Sequence, residues 1–254
     1  SSLRMTITRT RIPDNDSALK SFCLSIESLF AKTSPFFEDG VDLRVGIFGG
    51  TFNPPHLGHL RLAEEVAPLF GLSRVIFVPS HTPPHKSALH VAAPEHRLEM
   101  TCRACEDNAL FDVSDMEIAA KGLSYTVKTL EVFAGRKDCE PFFILGTDSL
   151  REIGTWKDSE RLFSLAHFTV VTRPGTNFRA AWAGLPAQTR AQFHEAGESL
   201  VHASSTRVEC AAVCGLDISS TRIRALVREG QSVRYLVTEP VRSYMIDKKL
   251  YRND

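Results

Sequence analysis

Gly49-Gly50-Thr51-Phe52-Asn53-Pro54-Pro55-His56-Leu57-Gly58-His59-Leu60 lies between two unlike patterns. Before it, Leu43-Arg44-Val45-Gly46-Ile47-Phe48 reads as a short, mostly apolar strand. After it, Leu60, Ala63, Val66, Ala67 and Phe70 recur at helical spacing. Two glycines therefore end a buried strand, an Asn-Pro-Pro turn follows, and two histidines stand at the mouth of a helix. These parts suit phosphate. Glycines let backbone approach a ligand closely, helix-start amides and the helix dipole favour an anion, and imidazoles add donors near pH 7. The three-residue spacing of His56 and His59 can place both on one face of a helical turn.

A second piece, Ile218-Ser219-Ser220-Thr221-Arg222-Ile223-Arg224, opens another helical pattern far downstream. Together the two pieces resemble the nucleotidyltransferase superfamily, whose members carry Gly-(Thr/Ser)-Phe-(Asp/Asn)-Pro and His-x-Gly-His. From about Leu43 to Arg252 the chain is more closely similar to the bacterial nicotinate-nucleotide adenylyltransferases. That resemblance implies a Rossmann-like α/β fold and adenylyl transfer from ATP to nicotinate mononucleotide, giving the dinucleotide and pyrophosphate in NAD biosynthesis.

The resemblance also implies a site. Gly49, Gly50, Thr51, Phe52, His56, Gly58 and His59 would surround ATP, with His59 nearest the reacting α-phosphate. Ile218, Ser219, Thr221 and Arg224 would hold its outer phosphates, Arg224 through a fork of donors. Lys86, Tyr125, Thr126, Asp148, Trp156 and Arg173 would serve the mononucleotide, Asp148 at a ribose hydroxyl and Trp156 against the pyridine ring. Magnesium would travel with ATP, keeping mostly phosphate and water ligands, so no dedicated metal cage is expected. Asn53 stands where many relatives carry aspartate, which puts in doubt any metal or ribose role there.

The remaining chain alternates strands and helices. Arg74–Pro79, Phe111–Val113, Pro141–Leu145 and His167–Thr172 read as strands. Helical patterns cover Pro94 to Asn108, Ser124 to Phe133, Arg161 to Leu165, Ile218 to about Glu229, and Glu239 to about Leu250. This order predicts a parallel sheet with helices on both faces, and ligands bind beyond the carboxyl ends of such strands. Residues 176 to 210 are poorly patterned apart from a helix expected around Pro186 to Glu195. They read as an elaboration of the domain.

Residues 1–42 read as an extension and 43–254 as the nucleotidyltransferase domain. Within the extension, Leu19, Phe22, Cys23, Ile26, Leu29 and Phe30 form one helical stripe, with Ser17 as N-cap. Its reading is an extra helix packed on the same domain, with a partner-binding helix as the alternative; whether the chain forms a homo-oligomer stays open.

The chain has 254 residues, with 30 basic and 30 acidic side chains and no net formal charge, so no global basic field argues for nucleic acid. No apolar run reaches the roughly 18 residues of a membrane span, and no secretory core stands near the start. A cytoplasmic protein is expected. Cys102-x-x-Cys105 and Cys210-x-x-x-Cys214 could be read as zinc ligands, but neither pair has a knuckle pattern, and buried thiols are the expectation. Rival enzyme readings are a nicotinamide-mononucleotide or dual-specificity adenylyltransferase, a phosphopantetheine enzyme and a class I aminoacyl-tRNA synthetase. A rival of another class is an ATP-binding sensor or scaffold without turnover. The pieces around Tyr125 and Trp156 count against phosphopantetheine. The length, and the lack of a Lys-Met-Ser-Lys-Ser-like loop, count against a synthetase. The intact histidine pair and Ser-Ser-Thr-x-Ile-Arg segment count against a sensor.

Overall fold

The buried strands alternate between two faces, and that alternation decides where helices go. A computed structural model describes residues 23–24, 43–82, 91–172 and 176–252. Strand β1 (Cys23–Leu24) is followed by β2 (Leu43–Gly50), helix α1 (Leu57–Phe70), β3 (Arg74–Pro79), α2 (Pro94–Cys105) and β4 (Phe111–Ser114). Next come α3 (Met116–Ala120), α4 (Thr126–Ala134), β5 (Cys139–Gly146), α5 (Thr147–Glu152), a 3-10 turn at Ile153–Thr155, α6 (Ser159–Leu165) and β6 (His167–Thr172). The chain continues through α7 (Phe178–Ala183), α8 (Ala187–Arg190), β7 (Phe193–Ala196), β8 (Ser199–His202), β9 (Arg207–Ala212), α9 (Ser220–Arg228) and α10 (Glu239–Asp247).

The strands form one sheet in the order β1-β4-β3-β2-β5-β6-β9-β8-β7. Pairing is parallel from β1 to β9 and antiparallel at β8 and β7. Val45, Ile47, Ile76, Val78, Phe143 and Leu145 belong to one buried cluster, beside Val127, Leu130 and Phe133 of α4. Phe48, Val75, Phe77, Phe142 and Ile144 belong to another, beside Leu62, Ala63, Val66 and Ala67 of α1. Neighbouring residues of one strand thus serve opposite faces, as the two-residue period requires. A third cluster joins Met100 and Ala104 of α2 to Ile223 and Leu226 of α9 and to Val241, Tyr244 and Met245 of α10. It docks α9, with the second motif, beside the first.

The order turns back at β2. The chain moves outward through β3 and β4, then crosses β2 to lay β5 on its other side. The carboxyl ends of β2 and β5 therefore flank the crevice where ligands of open parallel sheets bind.

Three expectations need correction. The helix expected over Pro186 to Glu195 is only the single turn α8, because Gly197 at φ +64° turns the chain into the β7–β8 hairpin. Within residues 176 to 210, β7, β8 and the start of β9 also join the main sheet, β9 in parallel with β6. Cys102 and Cys105 are buried, but Cys210 and Cys214 are exposed. The helical stripe expected near residues 19–30 lies outside the described residues, except that Cys23–Leu24 form an edge strand on β4.

At the amino end of β6, the His167 ring stacks on Phe142 with centroids 4.7 Å apart. Its Nδ1 accepts the Arg207 backbone N–H at 3.2 Å, and its Nε2 lies 3.1 Å from Glu140 Oε1. Burial lowers its pKa below the ordinary 6.5, against the opposing pull of Glu140. The folded protein therefore favours the neutral ring. As the pH falls, the unfolded chain takes up this proton first, so the contribution is complete above about pH 6.5 and is lost below it. Urea midpoints should fall between pH 7.5 and pH 5.5, and His167→Gln should shrink that fall. An identical fall in the variant would remove His167 from the acid response.

Candidate active site

Helix α1 begins three residues earlier than the apolar spacing indicates, and the histidines are the reason. His56 is the N-cap, and its backbone N–H donates to His59 Nδ1 at 3.2 Å. An imidazole here does the work of the usual glutamate in a capping box. Because Nδ1 accepts, neutral His59 carries its proton on Nε2. The two rings stack with centroids 3.6 Å apart, His56 buried and His59 half-buried. Gly58 makes this possible: a Cβ there would lie 3.0 Å from His56 Nδ1 and 3.3 Å from the Leu216 carbonyl oxygen.

Phe52 sits in the left-handed region at φ +46° and turns its ring into the core, edge-on to Phe48 at 5.7 Å. It therefore shapes the loop from beneath and presents no side chain to a ligand. A Cβ on Gly50 would come within 2.9 Å of that ring, so Phe52 and Gly50 require each other.

Asn53 ties the two motifs together. Its buried Oδ1 accepts the Ala92 backbone N–H at 3.0 Å and the Tyr251 hydroxyl at 2.7 Å. Its backbone carbonyl accepts from Arg224 at 2.9 Å. Asn53 is thus a bracket between segments. Arg224 also donates to Thr221 Oγ1 at 3.3 Å, and burial lowers its pKa, opposed by Tyr251 and reinforced by the charge of Arg228. Ser219 caps α9 by accepting from the Arg222 N–H, which leaves its hydroxyl proton to donate elsewhere. Ser220 fastens α9 to the first motif through the Pro54 carbonyl at 2.8 Å. Ile218 packs against the third core cluster.

A cleft of about 540 Å³ opens beside the same loop. Gly49, Gly50 and Thr51 form one wall, and Tyr125, Thr126, Trp156 and Lys157 form another. Trp156 stands edge-on to Phe143 at 6.3 Å, and the Lys157 ammonium lies 4.7 Å from the centre of the Tyr125 ring. Tyr125 is the N-cap residue of α4, so the helix mouth faces this wall. Asp148 does not line the cleft. It is exposed in the first turn of α5 and pairs with Arg151 at 2.9 Å, while Ser149 and Glu152 of that helix line the cleft instead. Lys86 and Arg173 lie outside the described residues.

Two residues that carry no motif prove central. Arg97 is fully buried and donates to the carbonyls of Ala92 (3.0 Å), Thr51 (2.8 Å) and His81 (2.6 Å). A signal existed: Arg97 begins the buried stripe Arg97, Met100, Thr101, Ala104 and Cys105 of α2, where a charge is out of place. The other is Glu117, whose short helix gives no periodic signal. It lines the cleft and accepts the Thr129 hydroxyl at 2.5 Å.

A parallel sheet with a glycine turn, a stacked histidine pair and a second helix start beyond it is the build of a nucleotidyltransferase. The comparisons with known proteins agree. The family described as cytidylyltransferase-like matches residues 47–226. A Geobacter metallireducens protein named "Probable nicotinate-nucleotide adenylyltransferase" is 44% identical over 215 residues, covering 84% of this chain and 100% of the relative. Its Geobacter sulfurreducens counterpart is 43% identical over 218 residues, with 84% and 100% covered. The Plasmodium falciparum nicotinic acid mononucleotide adenylyltransferase complexed with NaAD shares the fold, with a TM-score of 0.63 at 16% identity over 82% of this chain and 97% of that one. The chain belongs to the cytidylyltransferase-like family and, within it, to the nicotinate-nucleotide adenylyltransferases.

Arg97→Met would leave three carbonyls without their donor, at about 1–3 kcal/mol for each that stays buried and unpaired. Chemical denaturation should show a loss of about 3 kcal/mol or more by that reckoning, and Arg97→Lys should recover only part. A loss below about 1 kcal/mol would mean water replaces the guanidinium.

Proposed function

We propose that this protein transfers the adenylyl group of ATP to nicotinate mononucleotide, releasing pyrophosphate. One observation carries the reading: the loop Gly49-Gly50-Thr51 both leads into the His56–His59 turn and walls the cleft of Tyr125, Thr126 and Trp156. A triphosphate at the turn and a mononucleotide in the cleft would meet there.

An oxygen of the mononucleotide phosphate attacks the α-phosphorus of ATP as the bond to pyrophosphate breaks. That oxygen is already ionised near neutral pH, so the work is positioning and stabilisation of charge on phosphoryl oxygens. His59 directs its Nε2 donor at the α-phosphate. The α9 start, with Ser219, Thr221 and Arg224, holds the outer phosphates. Trp156 offers its ring to the pyridine, and the mouth of α4 at Thr126 receives the ring's carboxylate. The groups beside the phosphate loop are imidazole, hydroxyl, amide and guanidinium, which suit phosphate oxygens. Among the described residues, no three His, Cys, Asp or Glu side chains cluster as metal ligands. A magnesium ion carried by ATP would keep mostly phosphate and water ligands and neutralise phosphate charge. No helix of the described residues is long and apolar enough to cross a membrane.

The test is pyrophosphate release from ATP with each mononucleotide offered separately. Release with neither would sink the proposal. His59→Ala should stay folded and lose roughly 10²–10³-fold in turnover, the range for one such donor; near-normal turnover would take His59 out of the reaction. Nicotinate mononucleotide should also be preferred. Its carboxylate accepts from the α4 amides, whereas a carboxamide directing its NH₂ there leaves a donor unpaired, at about 1–3 kcal/mol. At pH 7, kcat/KM should favour the acid by roughly tenfold to a hundredfold. Equal values would make the enzyme dual-specific and leave adenylyl transfer standing.

A further inference from the structure

Glu117 places a carboxylate in the cleft that the proposed function assigns to an acidic ring. Hydrogen bonds fix its position. Thr129, one turn into α4, donates its hydroxyl to Oε1 at 2.5 Å, and the Ser124 side chain forms a second hydrogen bond. Ser124 in turn accepts the His81 backbone N–H at 2.9 Å, and the His81 carbonyl is held by Arg97. Glu117 therefore lies directly beneath the turn Ser124-Tyr125-Thr126, where the carboxylate of nicotinate mononucleotide would seat. Two carboxylates that share a site cannot both stay ionised cheaply.

We propose that Glu117 sets the acid-versus-amide preference of this site by taking up a proton when the acid mononucleotide binds. The protonated carboxyl turns a repelling neighbour into a hydrogen-bond donor. The amide mononucleotide imposes no such requirement. The inference rests on the assignment of the cleft to the mononucleotide.

The surroundings favour this behaviour. Burial is the largest influence on Glu117 and raises its pKa, against the lowering effects of Thr129, Ser124 and Arg97. Its proton is thus easier to gain than that of an exposed glutamate. Arg97 on α2 acts on its charge, and Lys157 and Glu152 line the same cleft, while His81, after β3, joins this network only through its backbone. Lys157 lies beside Tyr125, attracts the ligand's carboxylate, and keeps the acid acceptable despite Glu117.

The sign follows from linkage. Above the pKa of free Glu117, acid binding must draw a proton from solution, so its kcat/KM falls relative to the amide by up to about tenfold per pH unit. The phosphate groups and ATP are common to both reactions and cancel in the ratio. The experiment measures the acid/amide ratio of kcat/KM from pH 5.5 to 8.5 in the wild type and Glu117→Gln. Alongside it, calorimetric binding in two buffers of different ionisation enthalpy counts the protons taken up with each mononucleotide.

The wild-type ratio should fall at least tenfold across the range, and the acid should take up more protons than the amide. Glu117→Gln should flatten the profile and abolish the difference in uptake. Equal uptake in the wild type would overturn the proposal without any variant, so a Glu117→Gln protein that fails to fold does not protect it. A slope that survives in Glu117→Gln would also overturn it, because the titrating group would then not be Glu117. Turnover of neither mononucleotide would instead remove the functional reading on which the inference rests.

Discussion

One buried guanidinium holds the site in register. Arg97 donates to carbonyls of the phosphate loop, of the segment after β3, and of the segment entering α2. Asn53 reinforces the bracket by accepting from Ala92 and Tyr251 while its carbonyl receives Arg224. Five stretches of the chain thus meet through hydrogen bonds, most of them to backbone, with little room to shift independently. Among the described residues the hydrogen bonds of Arg97 go to carbonyl oxygens, while the charges of Glu95 and Glu117 act on it from nearby.

The sheet supplies the other half of the arrangement. β2 and β5 are adjacent but are reached from opposite directions, so their carboxyl ends open a crevice. Gly49 and Gly50 finish β2 on one side of it. On the other, Ser149, Glu152 and Trp156 follow β5. Buried hydrophobic residues on both faces hold the strands, and α9 is docked to α2 by the third cluster. The second motif reaches the first through packing of apolar side chains, and Ser220 and Arg224 fix the final approach.

Much of this was readable in the chain because its signals are local. Strand, glycine turn and histidine pair are contiguous, and β3 and β6 have the boundaries their apolar runs predict. The unread parts depend on contacts across the fold. Arg97 acts through backbone carbonyls, which leave no mark in a side-chain pattern. Glu117 becomes notable only when the start of α4 is laid over it. Phe52 falls within a motif yet serves the core, because φ +46° turns its ring inward. The β7–β8 hairpin was missed because β7 is mostly exposed and lacks the alternation that marks a half-buried strand. Asp148 follows a glycine at a strand end, as a ribose ligand would, but α5 carries it to the surface.

The central claim is that two nucleotides meet at Gly49-Gly50-Thr51 and that the mononucleotide's own phosphate is the nucleophile. Nicotinate mononucleotide labelled with ¹⁸O in its phosphate tests this directly. After reaction with ATP, the account predicts that all label remains in the dinucleotide, including its bridging oxygen, and none in pyrophosphate. Label in pyrophosphate, or release of AMP without dinucleotide, would contradict it.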